Sequence, residues 1–171
     1  GGGLAGGKQS GDGGAHYHRP AHRFSETIVA IVRTRPARRI DSAGFAMRIQ
    51  RIDHVQFAMP PGREDDARRF YGGVLGIPET PKPPHLAVRG GVWFERGDLK
   101  VHLGVEKDFR AARKAHAALL VVDLPALARD LIAAGRPVVE DEPLEGYRRI
   151  YTEDPFGNRI ELMEPIGPVA G

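Results

Sequence analysis

The chain of 171 residues contains no cysteine. That excludes a disulfide scaffold, Cys-ligated zinc, iron–sulfur ligation and a thiol nucleophile together. Long hydrophobic runs are also missing. The longest, Thr27–Val32 and Ala117–Val122, fall far short of the ~20 residues a membrane span requires, so no integral membrane protein is expected. Aromatic residues make up only 7% of the chain, and they do not interleave with a basic stripe as a nucleic-acid surface would. The net charge of +3 is unevenly placed: residues 1–46 hold seven Lys and Arg against three Asp and Glu, while 47–171 hold 18 against 19. The basic surplus belongs to the N-terminal stretch and says nothing about the ligand of the remainder.

Residues 1–46 also hold nine of the 22 glycines. Such a run loses much backbone entropy on ordering and has few side chains to bury in return, so a disordered extension is expected. Its charges follow the apolar stretch instead of preceding it, the reverse of a secretory signal, and a cytoplasmic protein is expected. His16, His18 and His22 read as solvated side chains of that extension. Met47 marks the expected start of a single domain over 47–171.

From there strand and helix patterns alternate twice. The first copy, about 48–105, reads as a strand over 49–59 and a helix opening with Glu64-Asp65-Asp66 and ending at Gly76-Ile77-Pro78. Three strands follow, around His85–Val88, Val92–Arg96 and Leu99–Val105. The second copy, about 114–165, repeats the order: a strand over 115–123, a helix over 124–134 ending at Gly135-Arg136-Pro137, and strands over 137–140, 148–152 and 159–164. Gly76 and Gly135 are 59 positions apart, as are His102 and Glu161, while His54 and His116 are 62 apart. The expected fold is therefore α+β, with two βαβββ modules forming curved mixed sheets around a shared cleft.

The offsets carry chemistry with them. His54 and His116 fall on the first strand of each copy, His102 and Glu161 on the last. Each alternates with apolar neighbours such as Val55 and Phe57, Val101 and Leu103, or Ile160 and Leu162. The apolar set faces the helices, which leaves the four polar groups on the opposite face. Four converging imidazole and carboxylate groups are costly without a cation, and a divalent metal would remove that cost.

Asp154-Pro155-Phe156-Gly157-Asn158-Arg159-Ile160-Glu161-Leu162 resembles the closing hairpin of the vicinal oxygen chelate superfamily, which includes glyoxalase I, extradiol dioxygenases and the bleomycin and fosfomycin resistance proteins. Within that loop Gly157-Asn158 is expected to supply the positive-φ positions. Ile52-Asp53-His54-Val55 and Phe70–Gly76 are similar to the superfamily's opening strand and first helix. The resemblance implies His54, His116 and Glu161 as ligands of one divalent ion (Fe, Ni, Zn or Mn). It leaves His102 open as a fourth ligand or a proton carrier. Two histidines and a carboxylate with open cis positions also form the facial arrangement of Fe(II) oxygenases. Tyr151 matches a tyrosine of the extradiol signature, but the further histidine that signature requires is replaced by Glu142, Pro143 or Leu144.

The expected function is a metal-dependent lyase, isomerase or dioxygenase acting on a small substrate chelated through adjacent oxygens, with Glu161, His102 and Tyr151 as catalytic groups. A metal-free protein sequestering a drug or metabolite is the alternative. A homodimer is the expected assembly, in which His54 and His102 of one chain can meet His116 and Glu161 of another. Lys107, Arg110, Arg113 and Lys114 in the linker could meet an anionic substrate group, or form a solvated basic loop.

Overall fold

The computed structural model describes residues 48–167 and Gly2. The expectations placed on 1–46, His16, His18, His22 and Met47 lie outside these residues, as does 168–171.

Alternation of polar and apolar residues over 54–59 produces strand β1 (Val55–Met59), with Phe57 and Met59 buried and Gln56 exposed. Asp65 and the other acids of Glu64–Ala67 (α1) occupy the first helical turn, where they oppose the helix dipole. The helix continues as a π-helical run, Arg68–Val74, a widening that buries the adjacent side chains Phe70 and Tyr71 together. A Cβ on Gly72 would sit 3.7 Å from the Phe94 ring, so this helix lies close against the sheet.

Two expectations fail here. The first strand, expected over 49–59, begins only at Val55, which leaves His54 just ahead of it. His85–Val88 is not a strand: Pro84–Ala87 forms a short helix, α2, with Pro84 at its first position, where the fixed φ of proline suits a helical start. The second strand of the module is instead β2 (Glu79–Thr80), which pairs antiparallel with β3 (Val92–Arg96). β4 is Leu99–Val105.

The second module contains β5 (Ala117–Leu120), α3 (Leu124–Ala133), β6 (Val139–Glu140), β7 (Tyr147–Glu153) and β8 (Arg159–Pro165). Asp123 caps α3 by accepting a hydrogen bond from the Ala126 N–H, and Leu124 and Leu131 are the buried positions of that helix.

Both modules build the same four-stranded sheet, in the orders β1-β4-β3-β2 and β5-β8-β7-β6. In each, the first strand pairs parallel with the last. Gln56 stands opposite His102, and Ala118 opposite Glu161. Those equivalent pairs keep the spacings of 62 and 59 seen in the sequence, so the repeat is structural. One apolar cluster serves both modules, joining Phe57, Tyr71, Phe94, Val101 and Leu103 to Leu124, Leu131, Ile150, Ile160 and Leu162.

The 154–158 loop ties the modules together. Oδ1 of Asp154 accepts from the Phe156 and Asn158 backbone N–H groups, and Oδ2 accepts from the Tyr71 hydroxyl at 3.0 Å and the Asn158 side-chain amide at 2.8 Å. Asn158 also donates to the Ala58 carbonyl of β1 and accepts from the Ala112 N–H of the linker. Gly157 has φ 86°, but Asn158 is not left-handed as expected. Its amide instead bridges β1, the linker and its own loop. Burial pushes the Asp154 carboxyl up, against these hydrogen bonds, and pushes the Tyr71 hydroxyl well above its ordinary range.

Candidate active site

Side chains at alternate positions on β1, β3 and β4 place Gln56, Trp93, Glu95 and His102 on the sheet face away from the helices, since Phe57, Phe94, Val101 and Leu103 fill the core, and His54, the residue just before β1, joins them. His102 is the buried centre of this group. Its ring stacks on His54 (centroids 4.4 Å apart) and, on its other side, on Trp93 (4.2 Å, planes within 10°). Nε2 of His102 lies 2.9 Å from a carboxylate oxygen of Glu95. Outside the stack, Asp53 is 3.1 Å from His54 Nδ1 and accepts from Lys100 Nζ at 2.8 Å. Lys100, with His54 assisting, draws the Asp53 carboxyl down to about 2.

On the second module the same face carries His116, Arg149, Tyr151, Arg159 and Glu161. His116 Nε2 is 3.1 Å from Glu161 Oε2, and Arg149 Nη1 donates to Glu161 Oε1 at 2.9 Å and to the Tyr151 hydroxyl at 2.8 Å. The Arg149 guanidinium is held from behind by the Glu142 carbonyl, which accepts from Nε and Nη2. Burial pushes the Glu161 carboxyl up, but the hydrogen bonds from Arg149 and His116 outweigh it and leave the group below its ordinary value. The Tyr151 ring meets the His116 ring edge-on at 5.3 Å.

His102, Tyr151 and Glu161 lie on their expected strands, whereas His54 and His116 each stand one residue ahead of the strand expected to carry them, and the four metal-type donors fall into two pairs, His54 with His102 and His116 with Glu161. Among the described residues no three His, Asp or Glu groups converge closely enough to hold an ion. The donor chemistry fits a divalent metal, and within one chain it is presented as two half-sites of two donors each. The cation that neutralises Glu161 here is Arg149.

Three members of this surface escaped sequence reasoning: Glu95, Arg149 and Arg159. For Arg149 and Arg159 the signal was present, because each stands two positions from a residue already singled out on its own strand (Tyr151 and Glu161), and a strand's period of two puts such neighbours on one face.

A family model described as a glyoxalase-like domain matches residues 57–163, more than half of the chain. A crystal structure of a glyoxalase family protein from Bacillus anthracis is 45% identical, with a TM-score of 0.68, covering 71% of this chain and all of that one. The fosfomycin resistance protein FosX from Listeria monocytogenes shares the fold at 15% identity and a TM-score of 0.56, over 71% of this chain and 96% of its own. Lactoylglutathione lyase from Agrobacterium tumefaciens does so at 19% identity and 0.54, over 69% and 96%. No curated protein matches. With paired βαβββ modules, matching strand registers and this family match, the chain belongs to the glyoxalase-like domain family of the vicinal oxygen chelate superfamily.

Proposed function

We propose that the protein is a metal-dependent enzyme acting on a small substrate bound through two adjacent oxygens, with each site completed across a homodimer. His54 and His102 of one copy would join His116 and Glu161 of a second. The observation that carries this reading is the pairing of donors on the equivalent face of each sheet, two per module at repeated positions, while among the described residues no group of three is arranged to hold an ion.

A divalent ion held there would act as a Lewis acid, stabilising the negative charge that develops on the chelated oxygens. The chain's own groups supply the rest. Glu161, kept ionised by Arg149 and His116, can accept a proton from substrate carbon once its carboxylate is presented to it. Glu95 fixes the ring orientation of His102, the role an outer carboxylate takes behind a histidine ligand or proton carrier. Tyr151 accepts from Arg149, which leaves its hydroxyl proton free to donate to a substrate oxygen. Trp93 provides an apolar wall beside His102. Whether the product is that of a lyase, an isomerase or a dioxygenase depends on the substrate.

Metal analysis of the full chain after reconstitution with Fe, Ni, Zn or Mn tests the proposal. About one equivalent per chain is expected, and the His54→Ala and His116→Ala proteins should each lose it. In a shared-site dimer, mixing these two variants regenerates one intact site per heterodimer, so metal binding should partly return. Failure of the wild-type chain to retain metal overturns the metal; failure of mixing overturns the shared site.

One observation favours a second reading, metal-free binding of a drug or metabolite. Arg149 already compensates Glu161, so the buried carboxylate has no unmet need for an ion. Undiminished ligand affinity of His54→Ala protein in chelator would support sequestration over catalysis.

A further inference from the structure

Beside the second half-site lies a cavity of about 230 Å³ whose lining includes Arg113, Tyr151, Glu153 and Arg159. Arg159 is two residues before Glu161 on β8, and the Cζ of its guanidinium lies over the Tyr151 ring, 3.7 Å from the ring centroid. Among the described residues neither the Arg159 nor the Arg113 guanidinium makes an ion pair or a side-chain hydrogen bond. Arg149, by contrast, has every nitrogen engaged.

The two free arginines are held close together by the backbone. The Arg159 N–H donates to the carbonyl of Ala112, the residue before Arg113, at 2.9 Å, and the Ala112 N–H is fixed in turn by Asn158. Glu153, the cross-strand partner of Arg159, is the one carboxylate of the lining. Two cations against one anion leave an excess positive charge in a partly enclosed space, on a rigid aromatic platform. A guanidinium presented this way matches the geometry of an oxyanion.

We propose that this cavity binds an anionic group of the substrate, a carboxylate, phosphonate or phosphate, held by Arg159 and Arg113 against Tyr151. The inference rests on the reading of this face as the substrate site, and it names the substrate class: a small acid whose anionic end sits next to the Glu161–His116 pair. It also separates Arg113 from the other linker cations, since Lys107, Arg110 and Lys114 do not border the cavity.

Titration of the full chain with acetate, methylphosphonate and inorganic phosphate in excess chelator, followed by calorimetry, tests the proposal without metal or turnover. At least one anion should bind to wild-type protein. Arg159→Met should weaken it about tenfold or more, and Arg113→Met by a smaller factor, as loss of a charge-assisted contact requires. Arg159→Lys should recover part of the loss. Nuclear magnetic resonance of the wild-type chain gives a readout free of variant misfolding, with the largest shifts expected at Tyr151, Arg113 and Arg159. Equal affinity of the Arg159→Met protein, shifts confined elsewhere, or no binding of any of the three anions would each overturn the proposal. Metal retention is measured separately, so a chain that binds anions but no metal removes the catalytic reading alone, and the converse removes this one alone.

Discussion

Gly91→Ala is expected to lower stability by about 3 kcal/mol or more, combining a left-handed backbone position with a collision. Gly91 has φ 77°, and a Cβ built there lies 2.1 Å from the Leu103 carbonyl oxygen. The obstacle is backbone, locked in the β3–β4 ladder through the Val92–Leu103 pair, so it cannot yield as a side-chain tip would. Relief requires β3 to lift from β4 at the end nearest Trp93, which would also disturb the His102 stack. Gly97→Ala is the control. Its φ is 58°, but nothing lies within 4 Å of the added Cβ, so only the conformational cost of about 1 kcal/mol remains. Denaturant unfolding of both variants decides the matter: equal losses would show that the Leu103 contact costs nothing.

Asp154→Ala should be comparably damaging. Truncation removes four hydrogen bonds and leaves the Tyr71 hydroxyl, which is fully buried, without its acceptor. Each abandoned buried donor costs about 1–3 kcal/mol, so a loss of about 3–4 kcal/mol is expected. For a domain of this size that corresponds to a fall in melting temperature of about 10–15 °C. Tyr71→Phe removes only one partner and should cost less. Because Tyr71 and Asp154 belong to different modules, the double variant reports on coupling between them. Its loss should fall short of the sum of the two single losses by about 1 kcal/mol. Strict additivity would mean that the bond between modules contributes nothing.

Most of the architecture was legible because period-two alternation and two glycine-terminated helices recur at fixed offsets, and such repetition survives even where residue identities do not. His85–Val88 departs from the expected strand for a local reason: Pro83-Pro84 imposes a helical start that a short apolar run does not reveal. Asn158 acts through its side chain and not through a left-handed backbone, since a turn motif shows which residues can bend but not which amides reach across to another module. The site was legible as a face and not as an assembly. Alternation specifies that His54, His102, His116 and Glu161 share a side of the sheets, but the separation into two pairs depends on how the modules sit. The part played by Arg149 follows from the Glu142 carbonyl that anchors it, a contact made by backbone and thus invisible to side-chain chemistry.

The single apolar cluster shared by both modules, with the Tyr71–Asp154 and Asn158–Ala58 bonds bridging them, has a consequence for how the chain can be divided. Lys107 and Asp108 in the connecting segment are exposed. A cut there severs one peptide bond and no buried contact. The two fragments, separately synthesised, should then find each other and recombine as halves of a split protein, the adhesion between them supplied by the interior they were made to share.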